Sequence, residues 1–331
     1  MKKLINNPED VLKDMLDGII SAYPEHIKKL DNANVIVRAG GSKDKVSVIS
    51  GGGSGHEPAH AGYVGYGMLD AAVCGEVFTS PTPDQVYEAI KATENGKGVL
   101  LVIKNYTGDV MNFEMAKEMA EMEGIKVEEV IVNDDVAVEN SLYTAGRRGI
   151  AGTVFVHKIS GAKAESGSGL EEVKRVAEKV IANVRSMGMS LSSCIVPASG
   201  KANFELGEDE IEIGMGIHGE PGTHREKISS ADQIVEQLVN KILNDITINS
   251  GDEVAVLVNG LGSTPNMELY IVNKKVNEML KNKGIKIHKT FIGEFMTSLE
   301  MAGCSISILK LDEELKELLD EKSNTAAFKI F

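Results

Sequence analysis

Four side chains in three stretches have the types and surroundings to do chemistry: His56 in "SGGGSGHEPAH" (residues 50–60), Lys104 and Asp109 in "IKNYTGD", and His218 in "GMGIHGEPG". The first stretch reads two ways at once. H-E-x-x-H is the zinc-protease signature, in which two histidines one helical turn apart hold the metal and the glutamate is general base. Here Pro58 lies inside it, and proline favours the first position of a helix, which leaves His56 and Glu57 in a loop and only His60 in the helix. No third ligand of metzincin spacing follows. A metallopeptidase reading therefore rests on the letters alone, and zinc content would test it.

The glycines suggest a phosphate cradle, but no lysine follows them as a Walker A loop requires, and Pro58 stands where G-x-G-x-x-G needs its last glycine. What the glycines do supply is close backbone approach and exposed N–H groups, with His56 at the loop's end. That suits a small, oxygen-rich ligand. Lys104 can donate to such an oxygen and Asp109 can take a proton from it. His218, between Gly216 and Gly219, has little side-chain neighbourhood to pack into and is expected to face a cleft.

The elements that must position these residues are those of an α/β protein. Asn7 is placed to cap a first helix with Pro8 at its first position, and Val11, Leu12, Met15, Leu16 and Ile19 form one face. Apolar runs "KVSVISGGGSG", "GVLLVIKNYTGD" and "KVEEVIVNDD" alternate with helical patterns, one of them Phe113 to Glu123. Such alternation predicts a doubly wound, mainly parallel sheet with helices on both faces. Loops leaving such strands gather at one edge, so residues 51–56, 76–83 and 104–109 are expected together. A second, smaller α/β domain with a mixed sheet is predicted from "LSSCIVP", the strictly alternating "EIEIGMGIHG", "DEVAVLVNGLG", "IHKTFIG" and "CSISILKL", with helices over 231–244 and 267–281. The boundary falls near residue 185, giving domains 1–185 and 186–331.

Composition narrows the function. The 331 residues include 35 basic and 49 acidic side chains, a net charge of -14. Nucleic-acid binding exchanges counterions for Lys and Arg, so an acidic chain is ill suited to it. No apolar run is long enough to span a bilayer and no signal-peptide core opens the sequence, so a cytoplasmic location is expected. Cys74, Cys194 and Cys304 are far apart and read as buried small hydrophobes. His26, His60, His157, His224 and His288 read as structural, His224 less firmly because it is close to His218.

Five motifs in order, "SGGGSGHEP", "GEVFTSPTPDQ", "IKNYTGD", "NSLYTAGRRG" and "GIHGEPG", resemble those of the dihydroxyacetone-binding K subunits of dihydroxyacetone kinases, and the resemblance runs from "MKKLINNPEDVL" to "SLEMAGCSISILKLD". It implies a homodimer of two-domain α/β subunits in which Nε2 of His218 adds to the ketone carbon to give a reversible hemiaminal. It further implies that Gly53, Ser54, Gly55, His56, Lys104 and Asp109 bind the substrate, with His56 in acid/base work and Asp109 as base or orienting group. With no helical nucleotide domain after residue 331, it implies no cofactor in this chain. An L subunit would carry ADP, recharged by a phosphotransferase-system protein from phosphoenolpyruvate. A sensing relative that holds dihydroxyacetone for a transcription regulator is the alternative.

Overall fold

The computed structural model describes residues 2–141 and 144–331. Leu142 and Tyr143 of "NSLYTAGRRG" lie outside the described residues.

The first half builds a sheet from β1 (Ile27–Lys29), β2 (Val35–Arg38), β3 (Ser47–Ser54), β5 (Ala71–Val77), β6 (Val99–Lys104) and β7 (Val127–Val132), in the order β1-β2-β5-β3-β6-β7. Strands β5, β3, β6 and β7 run parallel, and the β1–β2 hairpin adds antiparallel. A short β4 (Gly65–Tyr66) lies outside this sheet. Every residue of β6, "VLLVIK", is buried, because helices cover both faces. Val99, Leu101 and Ile103 pack with α2 (Pro83–Thr93) and α3 (Thr107–Met122). Leu100 and Val102 pack on the other side, in a core shared with α4 (Thr153–Glu165) and α5 (Leu170–Asn183). Alternate side chains of one strand thus serve two cores, as a continuous apolar run allows.

The second half carries β8 (Val184–Ser190), a two-residue hairpin of β9 (Ile195–Val196) and β10 (Lys201–Ala202), then β11 (Glu210–Ile213), β12 (His224–Lys227), β13 (Glu253–Gly260), β14 (Lys286–Glu294) and β15 (Gly303–Leu311). Its sheet has the order β12-β11-β8-β15-β13-β14, with only β13–β14 parallel, so it is mixed as expected. One face, with Ala255, Leu257 and Leu309, joins the core of α4 and α5; the other, with Val254, Val256 and Ile306, packs on α6 (Ala231–Asp245) and α7 (Asn266–Asn282). The result is five layers: helices, sheet, helices, sheet, helices. After α8 (Glu313–Asp320), β16 (Ser323–Thr325) returns to pair with β4, and β17 (Lys329–Ile330) pairs with β16 on its other side. Among the described residues no helix is long and apolar enough to cross a membrane.

Several local expectations are corrected. Pro8–Asp10 forms a 3-10 turn before α1 (Val11–Ala22), and Asn7 bonds Asp10 through its side chain instead of capping. No helix starts at Pro58: residues 57–60 turn and a 3-10 helix covers only Ala61–Tyr63. "LSSCIVP" holds only the two-residue β9, the sheet strand β8 lying just upstream, and the alternating strand before His218 stops at Ile213.

Candidate active site at the sheet edge

The carboxyl ends of β3, β5 and β6 share one edge, and the loops that leave them meet a segment of the second half. The glycines of "SGGGS" are not a loop: they lie in β3, with Gly51, Gly52 and Gly53 opposite Val73, Cys74 and Gly75 of β5. Their role is clearance. A Cβ on Gly52, which has φ +150, would collide with Lys104 Nζ, and one on Gly53 would lie 2.6 Å from the backbone N of Thr79. The run lets the 78–80 segment and a buried lysine close over the strand end.

Lys104 is the last residue of β6, and Asp109 stands in the first turn of α3 rather than in a loop. Both are buried, with Lys104 Nζ 3.4 Å from Asp109 Oδ2. Lys104 also donates to the Gly51 carbonyl, and Ser80 Oγ donates to Asp109 Oδ1. One carboxylate oxygen is therefore tied to a hydroxyl and the other to an ammonium, which fixes its direction.

His56, fully buried, is held by the other half of the chain. Its Nδ1–H donates to the Thr297 carbonyl at 2.8 Å, Thr297 N donates to the His56 carbonyl at 3.1 Å, and Leu299 N donates to Gly55 O at 2.7 Å. Asn259 fixes that segment in turn: its side-chain oxygen accepts from Phe295 N and Met296 N, both at 2.9 Å, and its amide donates to Met296 O. Burial, with the charges of His218 and Lys104 beside it, pushes His56 well below the ordinary imidazole range.

His218 follows β11 in a tight loop. Its Nε2 lies 3.0 Å from His56 Nε2, and its Nδ1 lies 2.9 Å from Glu220 Oε1. Phe78 stacks on His56 at 5.1 Å between centroids, and Phe78 and Tyr106 stand nearly perpendicular to the His218 ring at 5.2 and 4.6 Å. The ring is walled by aromatics and opens to a cavity of about 530 Å³ bounded by Gly53, Ser80, Gly108 and Asp109 as well. Gly53, His56, Lys104, Asp109 and His218 are thus brought together. The Ser54 hydroxyl donates to the Gly75 carbonyl and Gly55 N donates to the Glu57 carboxylate, so both of those hydrogens are already engaged within the chain.

A family model described as the Dak1 domain matches residues 17–327. The chain belongs to the Dak1 family. Among similar proteins, a Listeria innocua "PTS-dependent dihydroxyacetone kinase 1, dihydroxyacetone-binding subunit DhaK" is 56% identical over 314 residues, 95% of each chain. The solved dihydroxyacetone kinase of C. freundii superposes with a TM-score of 0.91 at 37% identity, over 99% of this chain; the Dak1 chain spans 60% of that enzyme's length. The dihydroxyacetone kinase operon co-activator Dha-DhaQ superposes with a TM-score of 0.90 at 36% identity, over 96% of this chain and 98% of the co-activator.

Several site residues of this Dak1 chain were not singled out from sequence. Glu220 stands in the "GIHGEPG" motif two residues beyond His218, a spacing that could have flagged it. Thr297 and Asn259 act through backbone and amide contacts that leave no motif. His60, second histidine of the H-E-x-x-H, points away from His56: its Nδ1 lies 2.9 Å from Nε2 of buried His157. Among the described residues no three His, Cys, Asp or Glu side chains gather to hold a metal ion. His224 is exposed beside Glu226, and His288 bonds Asp320 at the surface. A cleft of about 720 Å³ near Arg147 and Lys174 is larger than the cavity at His218, but its cations Lys117, Arg147, Lys174 and Arg185 are each paired with a carboxylate.

Proposed function

We propose that the chain is the dihydroxyacetone-binding subunit of a phosphotransferase-system-dependent dihydroxyacetone kinase, holding the ketone as a reversible hemiaminal on His218. The observation that carries this reading is His218, which lines a cavity together with the anchored Asp109 and has its Nε2 3.0 Å from Nε2 of the buried His56. A ketone has what such a site needs: a carbon for Nε2 of His218 to attack, an oxygen for His56 to protonate, and a hydroxyl to lie against Asp109. The 56% identical Listeria subunit, a dihydroxyacetone-binding protein by name, supports the substrate class.

Covalent capture answers a problem of size. Dihydroxyacetone has about six heavy atoms, and even the best small ligands gain no more than roughly 1.5 kcal/mol per atom. Glycerol offers almost the same hydroxyls. It has no carbonyl and cannot form the adduct.

The chain's own residues position and deprotonate. Lys104 and the backbone at Gly53 take substrate oxygens, while Asp109 receives the proton of the hydroxyl that attacks phosphorus. Phosphoryl transfer asks mainly for alignment and charge stabilisation, with a base placed for the hydroxyl. The cavity of about 530 Å³ far exceeds a triose, given about 30 Å³ per liquid water, and leaves room for a phosphoryl donor to reach it. That donor is an L subunit with bound ADP, recharged from phosphoenolpyruvate through a phosphotransferase-system protein, and the K chain acts as a homodimer.

The similarity to the co-activator Dha-DhaQ keeps a second reading, a dihydroxyacetone sensor for a transcription regulator. Mixing the chain with dihydroxyacetone, an ADP-loaded L subunit, its phosphotransferase chain and phosphoenolpyruvate decides between them. Triose phosphate formed only with every component is the expected result; ketone capture without any phosphorylation would favour the sensor.

A further inference from the structure

Every proton position but one around the histidine pair is dictated by its partner. The Thr297 carbonyl can only accept, so Nδ1 of His56 carries hydrogen. Glu220 is 2% exposed, and its Oε1 faces Nδ1 of His218 at 2.9 Å while Oε2 accepts the His218 backbone N–H at 2.9 Å. A carboxylate also only accepts, so Nδ1 of His218 carries hydrogen. The two remaining ring nitrogens then confront each other at 3.0 Å. Two lone pairs do not share a hydrogen-bond distance, so one proton lies between them, and the pair carries one positive charge.

We propose that Glu220 is a positioning residue for ketone capture: it keeps the reactive lone pair of His218 on Nε2 and supplies the negative charge that balances the proton which His218 and His56 hold in common. The proposal rests on hemiaminal formation at His218 and adds to it the origin of the proton. As the ketone enters, the shared proton settles on Nε2 of His56. Nε2 of His218 forms the bond to the carbonyl carbon, the C–O π pair moves to oxygen, and that oxygen takes the proton from His56. Charge is conserved: one positive charge lies on the pair before, and one on the imidazolium of the adduct after, still donating Nδ1–H to Glu220. No proton is drawn from bulk water, and release of the ketone reverses each transfer.

The surroundings fit this division of labour. Lys104 reaches the pair from β6 and disfavours a proton resting on His56, which makes His56 a ready donor once loaded. Asp109 on α3 is engaged by Lys104 and Ser80. The Tyr106 hydroxyl is kept protonated by burial and by the charge of Glu220. Arg148, fully buried, is gripped by Asp135 at 2.7 Å and by the Gly214 carbonyl at 2.8 Å, and its charge acts on Glu220. A Cβ on Gly216 would meet both Glu220 and Arg148, so only glycine leaves room for these two side chains behind His218.

The test uses the whole chain labelled with 15N-histidine, first without ketone. Nitrogen spectra are expected to show hydrogen on Nδ1 of both rings and one proton shared between the Nε2 atoms; His218 with a bare Nδ1 would overturn the proposal. [2-13C]Dihydroxyacetone is then added to wild type and to Glu220→Gln, whose fold is checked by near-UV circular dichroism. The variant keeps an acceptor but loses the charge, and its adduct population is expected to fall by at least about tenfold, with its pH profile displaced. Glu220→Asp, which restores the charge, is expected to recover part of the loss. A folded Glu220→Gln variant with an adduct within about twofold of wild type would sink the proposal. If wild type itself gives no tetrahedral carbon, the hemiaminal reading fails, while the ketone-free nitrogen spectra still decide whether Glu220 fixes the His218 ring.

Discussion

The carbonyl oxygen of Thr297 lies 2.8 Å from Nδ1 of His56, across 241 positions of sequence. One half of the chain supplies the ring and the other its orientation. Because the same segment also bonds the backbone of Gly55 and His56, the ring cannot turn without undoing several interactions together.

Replacing His218 by alanine removes the proposed nucleophile but leaves Lys104 and Asp109 in place. We expect no tetrahedral-carbon signal from [2-13C]dihydroxyacetone in that variant. An undiminished adduct would move the nucleophile elsewhere.

Asp109→Asn keeps the shape of the side chain and removes the base. The variant should capture the ketone normally, yet its turnover in the reconstituted system should fall by about 10²–10⁴, the usual worth of a placed general base. Near-normal turnover would refute the assignment.

Acid should destabilise this fold early. His60 and His157 are buried, and burial pushes both below the ordinary imidazole value, His157 to about 3. Their contribution is complete above pH 6.5 and is lost as pH falls, because the unfolded chain then binds protons that the fold refuses, each such group costing up to about 1.4 kcal/mol per pH unit. Glu220 acts later: burial raises its pKa, but the charge and hydrogen bond of His218 and the charge of Arg148 outweigh that and hold it at about 2, so its share goes only as pH falls below 4.5. Urea midpoints at pH 7, 6 and 5 should drop steadily in wild type and less steeply in His157→Gln. Equal slopes would show that His157 is not held neutral.

Gly53→Ala and Gly18→Ala should move in opposite directions. At Gly53 a methyl group has only the backbone of Phe78 and Thr79 to meet, so we expect a loss of about 1–3 kcal/mol and weaker capture of the ketone. Gly18 lies in the exposed middle of α1 with nothing within 4 Å, and alanine there should gain about 0.5–1 kcal/mol. Thermal melts of the two variants check both.

What the sequence revealed, and what it hid, follows from how far each constraint reaches. The apolar run "GVLLVI" and the alternation of strand and helix predict a layered α/β fold because burial on both faces is written in consecutive residues. His56, Lys104, Asp109 and His218 stand out because polar residues beside glycines at strand ends have few structural uses. Asn259 and Thr297 do not stand out, since their work is done by an amide and a carbonyl that any loop possesses. The glycines of β3 mislead for a related reason. A glycine that yields space to a neighbouring chain looks, in sequence, like one that makes a loop, and only the position of Phe78 and Lys104 separates the two. Pro58 misleads as well, because a proline after a glycine run suits a helix start as readily as the turn found here.

The bond between residues 56 and 297 also sets an order of events during synthesis. At about 5–20 residues per second, roughly 10–50 s pass between the emergence of His56 and that of its tether. Throughout that interval the first sheet can form while the histidine that would meet the ketone has nothing to hold it, so the emerging polypeptide is folded in part well before it is competent to capture a substrate.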